Sequence, residues 1–113
     1  MKLETDTTND VTILTVTDTR IDAAVAIQFK DAMRTATNNE ADRVVLNMSK
    51  VKFVDSSGLG AIVAAMKHMG AGRKLDLAGL TADVDKVFRL TRMDSVFDIY
   101  PSVEDAVDIR AAG

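Results

Sequence analysis

The sequence contains no cysteine and no tryptophan, and only one histidine and one proline among its 113 residues. Without cysteine there is no disulfide framework and no thiolate metal site, and a single histidine cannot form a transition-metal cluster. No apolar run approaches the roughly 20 residues that a helix needs to span a membrane. The first residues also lack the basic and then apolar pattern of a signal peptide. We therefore expect a cytoplasmic protein without a membrane span.

A large excess of charge of one sign is also missing. The chain has 17 acidic and 14 basic residues, which give a net charge of -3 and an isoelectric point near 5.0. Such a protein has no basic field with which to hold a phosphodiester backbone, so we do not expect direct nucleic-acid binding. With 47% hydrophobic residues and no linker or repeat, the sequence predicts a single domain over residues 1–113.

Strand and helix patterns alternate along the chain. Two strands rich in threonine, valine and isoleucine come first, separated by a predicted turn at Asn9 and Asp10. The predicted strands cover residues 3–7, 11–17, 44–48, 75–78 and 96–100, and the predicted helices begin near Asp22, Asp55, Thr81 and Pro101. This order predicts an α/β fold with a mixed, mostly parallel sheet, an antiparallel strand pair at the start and about four helices.

The segment FVDSSGLGA, at residues 53–61, places two hydroxyl groups at the start of a predicted helix. Asp55 or Ser56 can cap the free backbone N–H groups there, and Gly70 stands where this helix should end. The helix dipole favours negative charge at the same point, so a phosphate on Ser56 or Ser57 would be stabilised. The residues alone leave both serines open as acceptors, although Ser57 already lies in the first turn, where local hydrogen bonds can occupy its hydroxyl.

The same helix has a predicted buried face and a predicted outer face. Apolar residues at spacings of three and four predict that the buried face consists of Leu59, Ile62, Val63, Met66 and Met69. The opposite face carries Gly60, Ala61, Ala64 and His68. Surface helices normally present charged residues on that side, so these small residues indicate either a docking surface or a face covered by another element.

A serine at a strand-to-helix turn could also be the nucleophile of a hydrolase. That motif needs Gly-x-Ser-x-Gly, whereas Val54 and Asp55 precede Ser56 here. His68 lies about 18 Å further along the same helix, at 1.5 Å per residue, and is too distant to be the base. There is no Walker lysine and no phosphate-binding glycine pattern. We predict that the protein is not an enzyme and needs no cofactor, although a hard-metal site between Asp22 and Asp55 stays open.

The motif at residues 53–61 resembles the signature of STAS domains, specifically of the bacterial anti-sigma-factor antagonists. The resemblance continues through RIDA at residues 20–23, the strand at 44–48, the segment 72–80 and the tail 96–106, and so covers nearly the whole chain. The chain departs from the family at two turns. The family usually has a glycine where Thr19 stands, and a Thr-Gly turn where this chain has Thr91 and Arg92.

The resemblance implies a function for the motif. The unphosphorylated form would bind an anti-sigma factor that is also a serine kinase, phosphorylation of Ser56 by that partner would end the binding, and a PP2C-type phosphatase would reset the protein. The candidate partner-binding residues are Asp22, Asp55, Ser56, Ser57, Gly58, Gly60, Ala61 and Ala64. The alternative is a STAS scaffold in a signalling assembly, or an accessory subunit of a membrane transporter.

The first loop, which contains Asp22, should lie beside the motif. Loops that leave the carboxyl ends of parallel strands gather at one edge of a sheet, so about thirty intervening residues do not prevent contact between Asp22 and Asp55. We expect Asp22 to cap the helix that follows it and to present a carboxylate to a basic group of the partner.

Overall fold

The computed structural model describes residues 1–8, 10–38 and 42–112, and in these residues it forms seven strands and four α-helices. In chain order the elements are β1 (Leu3–Thr8), β2 (Val11–Val16), β3 (Arg20–Ile21), α1 (Ala26–Ala36), β4 (Arg43–Asn47), β5 (Phe53–Val54), α2 (Ser56–Met69), β6 (Lys74–Ala78), α3 (Ala82–Leu90), β7 (Ile99–Tyr100) and α4 (Val103–Ala112). A single 3₁₀ turn, Met93–Ser95, precedes β7.

The main sheet has the strand order β1-β2-β4-β6-β7. β1 and β2 pair antiparallel, with Leu3 opposite Val16, and the remaining pairs are parallel. A second, two-stranded parallel sheet joins β3 to β5. The predicted mixed sheet with an antiparallel pair at its start is therefore confirmed. Asn9 of the predicted turn lies outside the described residues. Asp10 has a φ of 63°, a left-handed conformation typical of turns.

Alternate residues of the main sheet face two different layers of helices. On one face the side chains of Leu14, Leu46 and Leu77 join a large core with residues of α1, α2 and α3. On the other face Ile13 and Val45 form a smaller core with Ala106 and Val107 of α4. The inner strands β2, β4 and β6 are largely buried on both faces, as expected for parallel strands covered by helices, whereas the edge strand β1 is mostly exposed. The β3–β5 pair leads directly into α2, since β5 ends at Val54 and α2 begins at Ser56.

The start of α1 differs from the prediction. The helix begins at Ala26, four residues after the predicted cap, because residues 22–25 form a turn in which the Val25 N–H donates to the Asp22 carbonyl oxygen at 3.1 Å. The Asp22 carboxylate accepts the Ala24 N–H within this turn. The prediction that Asp22 caps the helix was therefore wrong.

Two other predicted features differ in detail. Thr81 is at the N-cap position of α3 as predicted, but its hydroxyl donates to the Val51 carbonyl oxygen at 2.9 Å and accepts no N–H group of the helix. The predicted strand at 96–100 is reduced to Ile99–Tyr100, because the N–H groups of Val96 and Phe97 both donate to the Met93 carbonyl oxygen and hold these residues in a turn. Phe97 is instead buried, with its ring edge-on to Phe88.

Candidate functional site

The motif helix α2 begins and ends where the sequence predicts. Asp55 is its N-cap, and Asp55 Oδ1 accepts the backbone N–H of Gly58 at 2.8 Å. A carboxylate at this position satisfies one of the free N–H groups and also interacts favourably with the helix dipole. Gly70 follows the last turn with a φ of 79°, a left-handed conformation that glycine adopts easily. Ser56 is consequently the first residue of a 14-residue helix.

The first loop lies against the motif, as predicted. In the β3–β5 pair, Arg20 stands beside Phe53. Asp55 Oδ2 accepts the backbone N–H of Ala23 at 3.1 Å, and the Lys52 N–H donates to the Thr19 carbonyl oxygen at 2.7 Å. One carboxylate therefore binds both the N-terminal end of α2 and the loop that precedes α1.

Gly58 is the residue that allows this close approach. A Cβ at Gly58 would lie 1.9 Å from the Ile21 carbonyl oxygen, a distance that no side chain can occupy. Gly58 is buried and its N–H is already bonded to Asp55. Its place in the candidate site is therefore structural: it positions the first loop against α2.

The Asp55 carboxylate is held in its charged form. The backbone N–H of Gly58 contributes most to lowering the pKa of Asp55, followed by the N–H groups of Ala23 and Ser57 and by the positive charge of Arg20. Hydrogen bonds to the ionised form of a carboxylate favour that form. The site therefore carries a fixed negative charge directly beside the two serines.

Ser56 and Ser57 are both exposed. Within the described part of the chain, neither hydroxyl makes a hydrogen bond, so the expected local bonds of Ser57 are not formed. Both hydroxyls are accessible at the start of α2, and their geometry alone does not favour one over the other. The expectation that Ser56 is the phosphoacceptor therefore still rests on the resemblance to STAS domains, in which the acceptor directly follows the motif aspartate.

The buried face of α2 is rotated relative to the prediction. Its buried residues are Gly58, Ala61, Ile62, Ala65 and Met69, whereas Leu59, Val63 and Met66 are only partly buried. α1 packs along this helix, and small side chains allow two helices to approach closely. Ala61 is only 2% exposed and so does not lie on an outer face, which corrects that prediction. Gly60 is exposed beside the serines, and Ala64 is half-buried.

Arg20 and Phe53 form a surface pair that the sequence analysis missed. Phe53 is 41% exposed, and the guanidinium carbon of Arg20 lies 4.3 Å from the centre of its ring. Arg20 Nε also donates to Asp22 Oδ2 at 3.1 Å. Aromatic residues and arginine are enriched in protein interfaces. A strand of two residues has no periodicity, so no sequence signal could have placed Arg20 over this ring.

The described residues contain no side-chain cluster suited to a metal ion. No group of three or more histidine, cysteine, aspartate or glutamate side chains there could hold a metal ion. Both carboxylate oxygens of Asp55 already accept backbone N–H groups, which leaves it poorly placed to share a cation with Asp22. In the same part of the chain, no helix has the length and apolarity required to cross a membrane.

The fold and the motif agree with a known family, since the STAS domain model matches residues 2–106. The chain belongs to the STAS domain family. An anti-sigma-B factor antagonist of Listeria monocytogenes is 29% identical to this STAS protein over 80 residues, which are 70% of each chain.

Solved structures show the same fold. The crystal structure of a candidate anti-sigma factor antagonist from Thermotoga maritima superposes with a TM-score of 0.82 at 26% identity, covering 94% of this chain and 92% of that one. The phosphorylated form of the Bacillus cell fate determinant SpoIIAA superposes with a TM-score of 0.66 at 20% identity, covering 94% and 96% of the two chains. The SpoIIAA likeness is one of fold.

Proposed function

We propose that this STAS protein is an anti-sigma-factor antagonist, whose unphosphorylated form binds an anti-sigma factor and thereby releases a sigma factor. The names of the Listeria and Thermotoga relatives support this proposal. The observation that carries it is the exposed Ser56 hydroxyl, which is free of hydrogen bonds to the described residues at the first position of α2. Since an anti-sigma factor competes for a sigma factor inside the cell, the protein acts in the cytoplasm.

The partner in this proposal is also a serine kinase. The Ser56 hydroxyl oxygen attacks the γ-phosphorus of ATP bound to the kinase, ADP leaves, and the hydroxyl proton passes to a base of the kinase. The modified serine carries about -1.5 to -2 charges at neutral pH. A PP2C-type phosphatase hydrolyses the phosphate and restores the binding form. That SpoIIAA is also known in a phosphorylated form supports this cycle.

The charge at the site explains how phosphorylation would end binding. Asp55 already occupies the N–H of Gly58, so the phosphate cannot replace it there and stays on the surface. Asp22 and Asp55 both lie at this edge, and the added charge makes the edge strongly negative. A partner packed against Ser56 would have to bury this strongly hydrated phosphate, and burying a charge without a matching countercharge is costly, so the docked partner is expelled.

Phosphorylation with candidate kinases tests the proposal. The protein is incubated with candidate kinase-type anti-sigma factors and ATP, and the modified residue is located by tandem mass spectrometry. We expect one phosphate on Ser56, none on Ser56→Ala, and normal modification of Ser57→Ala. Phosphate on Ser57 alone would contradict the assignment. A stable complex that never becomes phosphorylated would instead favour a STAS scaffold or a transporter accessory.

A further inference from the structure

A narrow groove runs between α1 and α2 on the side where the two helices meet the solvent. It has a volume of about 50 Å³ and is lined by Lys30, Arg34, Ala64, Ala65 and His68. Ala65 is buried and Ala64 half-buried, so the two alanines form the floor. Lys30, Arg34 and His68 are exposed and form the walls. We call this feature the basic groove.

The charge of the basic groove is opposite to that of the whole protein. The chain has a net charge of -3, yet among the described residues no carboxylate lines this groove. Lys30 and Arg34 are four residues apart on one helix, which separates them by about 6 Å along its axis. Groups spaced in this way can bind two carboxylates at once.

Arg34 is available for such an interaction. Its ion pair with Asp31 is long, 3.8 Å, and both side chains are about two-thirds exposed. Exposed pairs of this kind contribute little free energy, so a ligand can compete with Asp31 for the guanidinium. Asp31 also lines a different hollow, between α1 and β1, and not the basic groove.

We propose that the basic groove binds an acidic segment of a partner protein. Charge complementarity favours carboxylates, and the axial spacing of about 6 Å between Lys30 and Arg34 is close to the roughly 6.6 Å between alternate residues of an extended peptide. The net negative charge of the chain disfavours extended polyanions such as nucleic acid or an anionic membrane, because their other charges would be repelled. The proposal is independent of phosphorylation at Ser56.

The groove is placed so that one partner can reach it and the motif together. Ala64 lies eight residues after Ser56 in α2, a distance of about 12 Å along the helix axis. A partner docked beside Ser56 therefore needs to extend by little more than two helical turns to contact Lys30 and Arg34. Contact with the basic groove would then make association with that partner faster and more specific.

A labelled peptide that alternates glutamate with alanine tests the proposal, with a glutamine version as the control peptide. Binding is measured by fluorescence anisotropy at about 10 mM salt, where the Debye length is about 30 Å. We expect binding of the glutamate peptide alone, and shifts of the Ala64 and Ala65 amide signals in an NMR titration. Absence of binding, or shifts confined to other elements, would overturn the proposal.

Charge-reversal variants locate the site. Lys30→Glu and Arg34→Glu should each weaken peptide binding about threefold to tenfold, and Asp31→Asn should strengthen it. Lys86→Glu is the matched control, because Lys86 is an exposed cation on α3 and its reversal changes the net charge equally. An equal loss in Lys86→Glu would show a general charge effect and refute the groove. Tighter binding of a short single-stranded DNA than of the peptide would also refute the proposed occupant.

Discussion

The carboxylate of Asp55 accepts the backbone N–H of Ala23, a residue 32 positions earlier in the chain, at 3.1 Å. The other oxygen of the same carboxylate caps α2 through Gly58. One side chain thus connects the two segments that form the candidate site.

Replacement of Asp55 should make stability less dependent on pH. The pKa of Asp55 is lowered from its ordinary value of 3.8, so its charged form stabilises the fold above that value, and this contribution is lost as the pH falls through the lowered pKa. Asp55→Asn should therefore melt below the parent at pH 7. The difference should disappear as the pH falls below 3.8. Melting curves across this range check the prediction, and a difference that persists in acid would contradict it.

Ser56→Asp should separate stability from binding. A negative charge at the first position of α2 is favoured by the helix dipole, so the melting temperature should not fall. Binding to the anti-sigma factor should weaken, whereas Ser56→Ala should bind persistently in the presence of kinase and ATP. Ser57→Asp is the matched control, since Ser57 is equally exposed. An unfolded Ser56→Asp protein, or identical effects at both serines, would argue against Ser56 as the switch.

The two glycines of the motif should respond oppositely to alanine. At Gly60 a Cβ meets nothing within 4 Å, so Gly60→Ala should increase the free energy of unfolding by about 0.5–1 kcal/mol. At Gly58 a Cβ would meet the Ile21 carbonyl oxygen, so Gly58→Ala should lower it by about 1–3 kcal/mol. Urea unfolding measures both values. If a partner approaches Gly60 closely, Gly60→Ala will also weaken binding despite its higher stability.

Asp22 should matter more for association than for stability. Asp22→Asn retains an oxygen for the Ala24 N–H but removes the charge that pairs with Arg20. Because Arg20 is 60% exposed, this pair should contribute less than about 1 kcal/mol. Association with the partner should slow, most clearly at low salt, where attraction is least screened. Stopped-flow rates identical to the parent at low salt would show that Asp22 serves only the turn.

The buried pair of Arg43 and Asp76 predicts a non-additive pair of substitutions. Their side chains are 5% and 0% exposed and approach to 2.6 Å, and Arg43 Nη1 also donates to the carbonyl oxygen of Ala106 in α4. Arg43→Met should cost about 3–5 kcal/mol, because it leaves the Asp76 charge buried without this partner. The double variant Arg43→Met/Asp76→Leu should recover much of that loss. Simple addition of the two single effects in urea unfolding would show that the residues are not coupled.

The sequence predicted correctly the ends of α2, which are marked by capping residues. α2 begins after the cap Asp55 and ends before Gly70, and both residues act within a few positions of the helix end. The start of α1 was wrong because Asp22 has the same side-chain chemistry as a cap but completes a turn instead. Arg92 adopts a φ of 61°, a left-handed conformation, at the turn where the resemblance to STAS domains led us to expect a glycine.

The proximity of the first loop to the motif was predicted, but the detailed packing between distant segments was not. The β3–β5 pair consists of two residues from each strand, too few for a periodic pattern, and it forms only because the sheet brings the segments together. The face of α2 that is buried depends on where α1 packs, so the spacing of large apolar residues favoured Val63 and Met66 while the structure buries Ala61 and Ala65. In both cases tertiary packing decided between local alternatives.

The β3–β5 pair has a consequence for the kinetics of recognition. Because Ile21 pairs with Val54 and the Ala23 N–H donates to the Asp55 carboxylate, the conformational entropy of the first loop is lost during folding and not during association. Such a preorganised surface needs no disorder-to-order step when a partner arrives. Association should therefore require no ordering of this loop, and the first loop should not slow the encounter with the partner.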